Sequence, residues 1–223
     1  KFFSIISHDL RNPFQALFGF SEALYKDQDK FTKQEIQEYS KLIYESAQNL
    51  YNLLQNLLQW SRSQLGSIKL SPEYIKIKQS VEDIMQLLKI NADEKNITLD
   101  DRIPEDLYAF ADEHVLSTVM RNLLSNAIKF TSEGGKVTVS GEQRDDKVVV
   151  TVADTGEGIS EDQIAKMFNI DQSQSTKGTK NEKGTGLGLI LCKELLEYSD
   201  GEIWAESSST GGVFKFSLPK KRQ

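Results

Sequence analysis

The sequence contains little of what marks a secreted, membrane-spanning or nucleic-acid-binding protein. Its 223 residues include one cysteine, Cys192, so no disulfide can form within the chain and we expect a reducing compartment. No apolar run approaches the roughly 18 residues that span a membrane, and we expect neither a span nor a signal peptide. Lys and Arg number 27 against 33 Asp and Glu, a net charge of −6. This acidic balance disfavours a nucleic-acid partner, which requires a basic face.

Proline, glycine and histidine are also scarce. Four Pro and 14 Gly exclude collagen-like and proline-rich chains, and 38% apolar residues exclude a disordered one. At about 150 residues per domain, the length allows one or two domains. The only histidines are His8 and His114, so any histidine chemistry must use one of them.

The first 65 residues have the pattern of a helical hairpin. A helix is predicted over 1–25, and a second follows the polar residues 26–34. The apolar residues of the two helices repeat every seven positions: Phe3, Leu10, Leu17, Leu24, then Ile36, Ile43, Leu50, Leu57. One hairpin buries two apolar stripes poorly, whereas two hairpins bury them in a four-helix bundle. We therefore expect a homodimer through residues 1–65; the alternative is that the hairpin packs against the rest of the chain.

A linker is predicted over 66–73, where Gly66 and Pro72 end the helical pattern. Residues 74–223 mix strand and helix patterns, which favours an α/β sandwich with one mixed sheet and helices on one face. The fold class is thus multidomain: an all-α hairpin followed by an α/β domain. Helices are predicted at 79–94, 112–130, 160–168 and 187–199, and strands at 97–103, 107–110, 136–143, 147–153, 202–207 and 213–218.

His8 is the first candidate for chemistry. Its heptad position faces away from the apolar seam, so we expect it to be exposed. Asp9 lies beside it, Asn12 shares its helical face, and Pro13 removes a backbone hydrogen bond and bends the helix. A carboxylate that holds one ring nitrogen's proton leaves the other nitrogen free to attack as a nucleophile. The alternative is an idle surface histidine.

The predicted helix 112–130 carries a polar face within an otherwise apolar sequence. Asn122 and Asn126 are four residues apart, and Lys129 lies three further on. Amide oxygens can ligate Mg²⁺, and lysine binds phosphate. The alternative is that both asparagines cover a solvated helix face.

Two glycine motifs follow. Residues 154–159 (DTGEGI) come directly after an apolar strand, where a carboxylate can accept a hydrogen bond from an exocyclic amine such as adenine N6, and glycines let the backbone approach a flat ring. The alternative is an ordinary strand-to-helix turn. Residues 184–189 (GTGLGL) enter a helix, whose amino-terminal N–H groups favour phosphate.

The second motif matches neither a P-loop nor a dinucleotide fingerprint. The stretch 169–183 before it is polar apart from Ile170, with too few apolar residues to fix it, so we expect a mobile cover over an anionic ligand. The alternative is a disordered surface loop. His114 and Cys192 are predicted to be structural or surface residues, with Cys192 packed inside its helix.

Together and in this order, the motifs resemble the transmitter core of a sensor histidine kinase. SHDLRNP (Ser7–Pro13) resembles the H-box, NLLSNAIKF (Asn122–Phe130) the N-box, and DTGEGI and GTGLGL the two glycine boxes. The resemblance implies a dimerisation and histidine-phosphotransfer hairpin at 1–65 and an ATP-binding catalytic domain of the gyrase and histidine-kinase type at 74–223.

The resemblance also implies a role for each motif residue. His8 is the implied phosphoacceptor, Asp9 the general base, and Asn12 the residue that orients water in phosphatase action. The implied cofactors are ATP and Mg²⁺, with Asn126 as the metal ligand. The implied ATP contacts are Asn122, Asn126, Lys129, Asp154, Gly156, Gly158, Ile159, Lys183, Gly184, Thr185, Gly186, Leu187 and Gly188.

The implied function is that of a two-component sensor kinase. It phosphorylates its own histidine with ATP·Mg²⁺, passes the phosphoryl group to an aspartate of a response-regulator receiver domain, and acts as a phosphatase on that regulator. The implied location is the cytoplasmic part of a sensor. Two departures from the family pattern stand out: Phe168 stands alone where a double aromatic is common, and Gly212 replaces a hydroxyl residue.

Two other function classes are consistent with part of the sequence. A dimeric adaptor would use its nucleotide site only for regulation, and nucleotide-dependent melting without phosphohistidine would identify it. An ATPase clamp would need a glutamate that activates water near Asn122 and Asn126, and none lies on that helical face.

Overall fold

The structure, a computed structural model, describes residues 2–64, 70–169, 178–180, 186–207 and 211–221. Within these ranges, the side chains of 2–9, 28, 52, 56 and 59–64 are not described. The chain divides into two compact units, Lys1–Leu65 and Gly66–Gln223.

The first unit consists of two long helices, α1 (Phe2–Asp27) and α2 (Lys33–Gln64), joined through a short 3-10 turn. Thr32 starts α2 with a capping box: the Thr32 N–H donates to the Glu35 carboxylate at 2.7 Å, and the Glu35 N–H donates to Thr32 Oγ1 at 3.3 Å. The Tyr39 ring lies 5.2 Å from the Phe20 ring and 5.1 Å from the Phe31 ring, between centroids. These contacts hold the two helices together beside their connection.

The hairpin leaves most of its apolar surface incompletely covered. Among the side chains that the structure describes in the first unit, Leu53 is the one apolar side chain that is buried, at 2% exposure. The described residues of the predicted seam are half-buried: Leu10, Leu17, Leu24, Ile36, Ile43, Leu50 and Leu57. Phe18 and Tyr44 are each 68% exposed. The seam is therefore a surface that a further element could cover.

The second unit alternates strands and helices. Its elements are β1 (Glu73–Lys76), α3 (Ile77–Asp93), β2 (Thr98–Arg102), β3 (Tyr108–Ala111), α4 (Glu113–Phe130), β4 (Lys136–Arg144), β5 (Lys147–Asp154), α5 (Glu161–Met167), α6 (Gly188–Glu197), β6 (Glu202–Glu206) and β7 (Val213–Pro219). A helical unit followed by an α/β unit is the fold class that the sequence predicted, and this prediction is confirmed.

The strands form two sheets. The larger has the order β2-β4-β5-β7-β6, in which β2 and β4 are parallel and the other pairs antiparallel. β4 and β5 correspond to the strands predicted at 136–143 and 147–153. They form a hairpin, and Asp145 adopts the left-handed conformation at its turn (φ 51°). The prediction of a single sheet is wrong, because β3 pairs with β1 in a separate two-stranded sheet. β1 begins at Glu73, the last residue of the predicted linker.

One face of the large sheet forms the core with the helices. The register places most of the buried residues of the three central strands on that face: Val137, Val139, Val148, Val150, Val152, Phe214, Phe216 and Leu218. Val149 and Ser217 are buried on the opposite face. α4 packs against β4 and β5, and α6 packs against α4 and β6. In the part of the chain that the structure describes, no helix has the length and apolar character that a membrane crossing requires.

Candidate functional site

Helix α4 carries the first group of candidate residues. Asp112 is its N-cap and accepts hydrogen bonds from the backbone N–H groups of His114 (2.9 Å) and Val115 (3.3 Å). The other carboxylate oxygen of Asp112 accepts from the Ser71 N–H at 2.8 Å. One side of the helix is buried in the core, and the remaining positions include half-buried Asn122, Asn126 and Lys129, the three predicted site residues.

Asn122 is held between its own helix and the start of α6. Its side-chain amide donates to the Thr118 carbonyl at 2.9 Å. A Cβ built on Gly188 would lie 2.6 Å from Asn122 Oδ1, so glycine lets this amide lie against the start of α6 without a shift of the side chain. The structure thereby brings together one residue from the predicted N-box and one from the second glycine motif.

Asp154 ends β5 and is fixed by two backbone N–H groups. Its Oδ1 accepts from Gly156 at 2.8 Å and from Gly212 at 3.1 Å. The Asp154 N–H in turn donates to the Gly212 carbonyl at 2.9 Å. Burial raises the pKa of this carboxyl, although both N–H donors oppose the shift. Both hydrogen bonds use Oδ1, so Oδ2 is the oxygen placed to accept from a ligand.

The first glycine motif packs against the carboxyl-terminal end of α4. A Cβ on Gly156 would lie 2.4 Å from the Phe130 carbonyl oxygen, which excludes any side chain there. Gly158 has a φ of 84°, in the left-handed region that glycine favours. Ile159 is half-buried, and its Cδ1 would lie 3.4 Å from a Cβ on Gly212. The Asp154 carboxylate, the glycine turn and the end of α4 therefore meet at the carboxyl-terminal end of β5, the central strand of the sheet.

The second glycine motif is described only in part. Lys183, Gly184 and Thr185 lie outside the described residues. Gly186 has a φ of 67°, Leu187 is buried, and Gly188 begins α6.

The predicted phosphoacceptor motif lies on α1. His8 and Asp9 are helical, but their side chains lie outside the described part of the chain, so the exposure of His8 remains a prediction. Asn12 is exposed, four residues after His8, and Pro13 lies inside the helix.

The remaining two candidates are placed as follows. Cys192 is fully buried, and burial raises the pKa of its thiol to about 12, so it carries no thiolate at neutral pH. This confirms its prediction as a packed residue. His114 is exposed in the first turn of α4.

The site offers a ligand three kinds of group: a partly buried carboxylate, glycine backbone that admits close approach, and amide side chains beside a lysine. In the described ranges, no group of three or more His, Cys, Asp or Glu side chains could hold a metal ion. Neutral amide oxygens fit Mg²⁺ that is carried largely by phosphate oxygens. The donor set therefore fits a nucleotide triphosphate with its metal better than a protein-bound metal centre.

Sequence reasoning missed two parts of this region. The hydrogen bond from Gly212 to Asp154 was not anticipated, although the Gly211-Gly212 pair before β7 was a signal for close backbone approach. Lys95 was also missed: it is 4% exposed, and its ammonium donates to the carbonyls of Ile128 (3.0 Å) and Lys129 (2.9 Å). No local pattern marks this lysine as buried.

Comparison with protein families gives two matches. A family described as His Kinase A (phospho-acceptor) domain matches residues 1–66. A family described as Histidine kinase-, DNA gyrase B-, and HSP90-like ATPase matches residues 111–222, half of the chain. The two matches coincide with the hairpin and with most of the α/β unit.

Individual relatives agree with these families. The chain is 32% identical to Histidine protein kinase DivJ of Caulobacter vibrioides over 96% of this chain and 36% of that protein. It resembles the catalytic domain of histidine kinase ThkA (31% identity, TM-score 0.60, covering 68% of this chain and 97% of that one). It also resembles ThkA in complex with response regulator protein TrrA (25% identity, TM-score 0.77, covering 97% and 60%). The chain spans 24% to 36% of the length of three curated relatives that it matches.

Proposed function

The chain belongs to the histidine kinase family, whose phosphoacceptor and ATPase domains it carries in that order, and on this premise we propose that it phosphorylates its own His8 with ATP. The observation that carries the proposal is the Asp154 carboxylate at the end of β5, fixed by the N–H groups of Gly156 and Gly212, where Gly156 packs on the end of α4 and admits no side chain. His8 lies within the residues that match the phosphoacceptor family.

Adenine is the ligand that the first glycine motif suits best. With Oδ1 held by Gly156 and Gly212, Asp154 Oδ2 accepts a hydrogen bond from the exocyclic amine N6. The close backbone at Gly156 and the half-buried Ile159 provide surface for the flat base. This arrangement selects adenine over guanine, because guanine carries a carbonyl oxygen at the equivalent position and cannot donate there.

The triphosphate extends along α4 toward the second glycine motif. Lys129 supplies positive charge, and the backbone of Gly186, Leu187 and Gly188 at the start of α6 faces the phosphates. Lys183, Gly184 and Thr185 complete this set in the proposal. Asn126 holds Mg²⁺, and Asn122 supports it; the bound metal supplies neutralisation of the triphosphate charge.

His8 is the nucleophile. One imidazole nitrogen attacks the γ-phosphorus, a nitrogen–phosphorus bond forms, and the bond to the β,γ-bridging oxygen breaks with release of ADP. Asp9 accepts the proton of the other ring nitrogen, which keeps the attacking lone pair available. Because phosphoryl transfer depends mainly on positioning and charge stabilisation, the lysine and the backbone amides carry most of the catalytic effect.

An aspartate of a response-regulator receiver domain then takes the phosphoryl group. The aspartate carboxylate attacks the phosphorus, the phosphorus–nitrogen bond to His8 breaks, and the proton held by Asp9 returns to the ring, which restores the neutral imidazole. The complex of the relative ThkA with a response regulator supports this partner class. When the protein acts as a phosphatase on the regulator, exposed Asn12 orients the water that hydrolyses the phosphoaspartate.

The proposed active form is a homodimer through residues 1–65, located in the cytoplasm where ATP is available. The half-buried seam of the hairpin supports the dimer, because a second hairpin would cover the seam as a four-helix bundle. In this arrangement residues 1–65 form the dimerisation and phosphotransfer domain, 66–73 the linker and 74–223 the catalytic domain.

The test is incubation of the full chain with γ-labelled ATP and Mg²⁺. We expect protein-bound label that acid removes and base preserves, as the nitrogen–phosphorus bond requires. The variant His8→Gln should carry no label, whereas His114→Gln, the matched change at the other histidine, should label as the unaltered chain does. Acid-stable label, or label retained in His8→Gln, contradicts the proposal.

A further inference from the structure

A buried lysine caps the carboxyl-terminal end of α4. Lys95 follows α3, is 4% exposed, and directs its ammonium to the last turn of α4, where it donates to the carbonyls of Ile128 (3.0 Å) and Lys129 (2.9 Å). Carbonyls in the last turn of a helix lack partners within the helix, and the negative end of the helix dipole favours a cation there. By itself, this capping gives Lys95 a structural role in stabilising the end of α4.

The third contact of the ammonium reaches a distant part of the chain. Lys95 Nζ donates to Thr179 Oγ1 at 2.7 Å, across 84 residues. The Thr179 N–H donates to the Lys129 carbonyl at 3.1 Å, and its hydroxyl lies within hydrogen-bond distance of the Thr131 carbonyl at 3.0 Å. Lys180 Nζ donates to the Glu94 carbonyl at 2.8 Å. Residues 178–180 are thus attached to the end of α4 and to the turn that carries Lys95.

The end of α4 is where the proposed nucleotide contacts converge. Asn126 and Lys129 lie in its last two turns, and the Phe130 carbonyl is the surface on which Gly156 packs. Residues 178–180 lie on the chain that leads into the second glycine motif. The Lys95 ammonium and Thr179 therefore both bind the carboxyl end of the helix that carries the proposed phosphate and metal contacts.

We propose that Lys95 is a positioning residue for ATP: together with Thr179, it holds the carboxyl end of α4, whose last two turns carry Asn126 and Lys129. The inference rests on the proposed function, since it assigns the attachment to nucleotide binding. Its consequence is specific: breaking the attachment weakens ATP binding more than it slows the chemical step, because neither residue touches the reacting atoms.

The experiment uses the full chain and two threonine variants. Thr179→Val removes the hydroxyl with little change in shape, and Thr179→Ser keeps it. Calorimetric titration with ATP·Mg²⁺ should give a Kd about three- to tenfold higher for Thr179→Val, the loss expected for one hydrogen-bonded group. Thr179→Ser should bind within about twofold of the unaltered chain. The kcat for His8 labelling at saturating ATP should change less than the KM for ATP.

A double-mutant cycle separates attachment from stability. Lys95→Met should raise the Kd for ATP, and the double variant should raise it by less than the product of the two single effects, because each single variant already loses the hydrogen bond that Lys95 and Thr179 share. If Thr179→Val binds ATP as tightly as the unaltered chain, or if the two effects simply multiply, the inference is overturned while the proposed function stands. If the unaltered chain binds no ATP, the proposed function fails and the inference fails with it.

Discussion

The two units of the chain differ in how completely each buries its own apolar side chains. Among described side chains, the hairpin buries one apolar residue, Leu53, whereas the α/β unit has a continuous core between one sheet face and its helices. The α/β unit therefore has the core it needs to fold by itself. The hairpin has apolar surface left over, and its exposed residues are available for partners.

The difference corresponds to the two proposed tasks. A nucleotide site needs groups held in fixed positions, and Asp154, Gly156 and Asn122 are each fixed by backbone contacts. A phosphoacceptor must be reached by the catalytic domain and then by a receiver domain, which requires an accessible helix. In the proposed dimer, a hairpin whose core is completed by a second copy presents such a helix.

The largest expected effect comes from Leu53, which is the one buried apolar residue among the described side chains of the hairpin. Leu53→Ala should lower the free energy of unfolding of the helical unit by about 2 to 5 kcal/mol and shift the dimer toward monomer. Sedimentation and helix melting at several concentrations measure this. Leu196→Ala, the matched change at a buried leucine of the α/β unit, should lower that unit's melting temperature and leave the dimer intact. If both variants weaken dimerisation equally, the dimer does not depend specifically on the core of the hairpin.

Asp154→Asn should weaken the binding of ATP strongly without unfolding the α/β unit. The asparagine Oδ1 still accepts from Gly156 and Gly212, but the amide nitrogen cannot accept from adenine N6, so affinity should fall about 10- to 100-fold. Titration with ATP measures the change. Asp145→Asn, the same change in the β4–β5 turn, is the control and should bind ATP normally. Unchanged affinity in Asp154→Asn would remove Asp154 from the adenine site.

Two glycine-to-alanine substitutions should have opposite effects on stability. Gly156→Ala places a Cβ against the Phe130 carbonyl and should destabilise the α/β unit by about 1 to 3 kcal/mol. Gly19→Ala lies inside α1 with no atom within 4 Å of the added Cβ, and should stabilise the hairpin by about 0.5 to 1 kcal/mol. Thermal melting of each variant provides the measurement. Destabilisation by Gly19→Ala would place Gly19 in the dimer interface.

The smallest expected effect is an opposite pH dependence in the two units. Burial raises the pKa of Asp154 above its ordinary value of 3.8, so its contribution to stability is largest below that value and declines as pH rises through the raised pKa. The Thr32 hydrogen bonds lower the pKa of Glu35 below 4.5, so its contribution is present above that value and is lost as pH falls through the lowered pKa.

Melting of each unit between about pH 3 and pH 6 tests these signs, because this range includes the ordinary pKa values of both carboxyls and extends to either side of them. Glu35→Gln should flatten the pH response of the hairpin, and Asp154→Asn that of the α/β unit. If the stability of a unit depends on pH as strongly in its variant as in the unaltered chain, another group is responsible for the titration.

The sequence predicted those features that depend on local spacing. The seven-residue repeat located α1 and α2, and the alternation of valines located β4 and β5. β1 was missed because, of its four residues, Ile75 alone is buried, so no alternation marks it.

Contacts between distant segments could not be predicted from local patterns. Lys95 is polar and lies in a polar stretch, and its burial depends on carbonyls more than 30 residues away and on Thr179. Likewise, the glycine motif was recognised, but the reason that Gly156 must be glycine is the Phe130 carbonyl of another element.

The central claim is that the γ-phosphoryl group of ATP passes to His8. The most direct measurement is mass spectrometry at neutral pH that maps phosphate to a residue after exposure of the chain to ATP·Mg²⁺. We expect phosphate on His8, and much less of it at the same ATP concentration in Asp154→Asn, which binds ATP more weakly. Phosphate on His114 or on a hydroxyl residue, or hydrolysis of ATP with no phosphate on the protein, would contradict it.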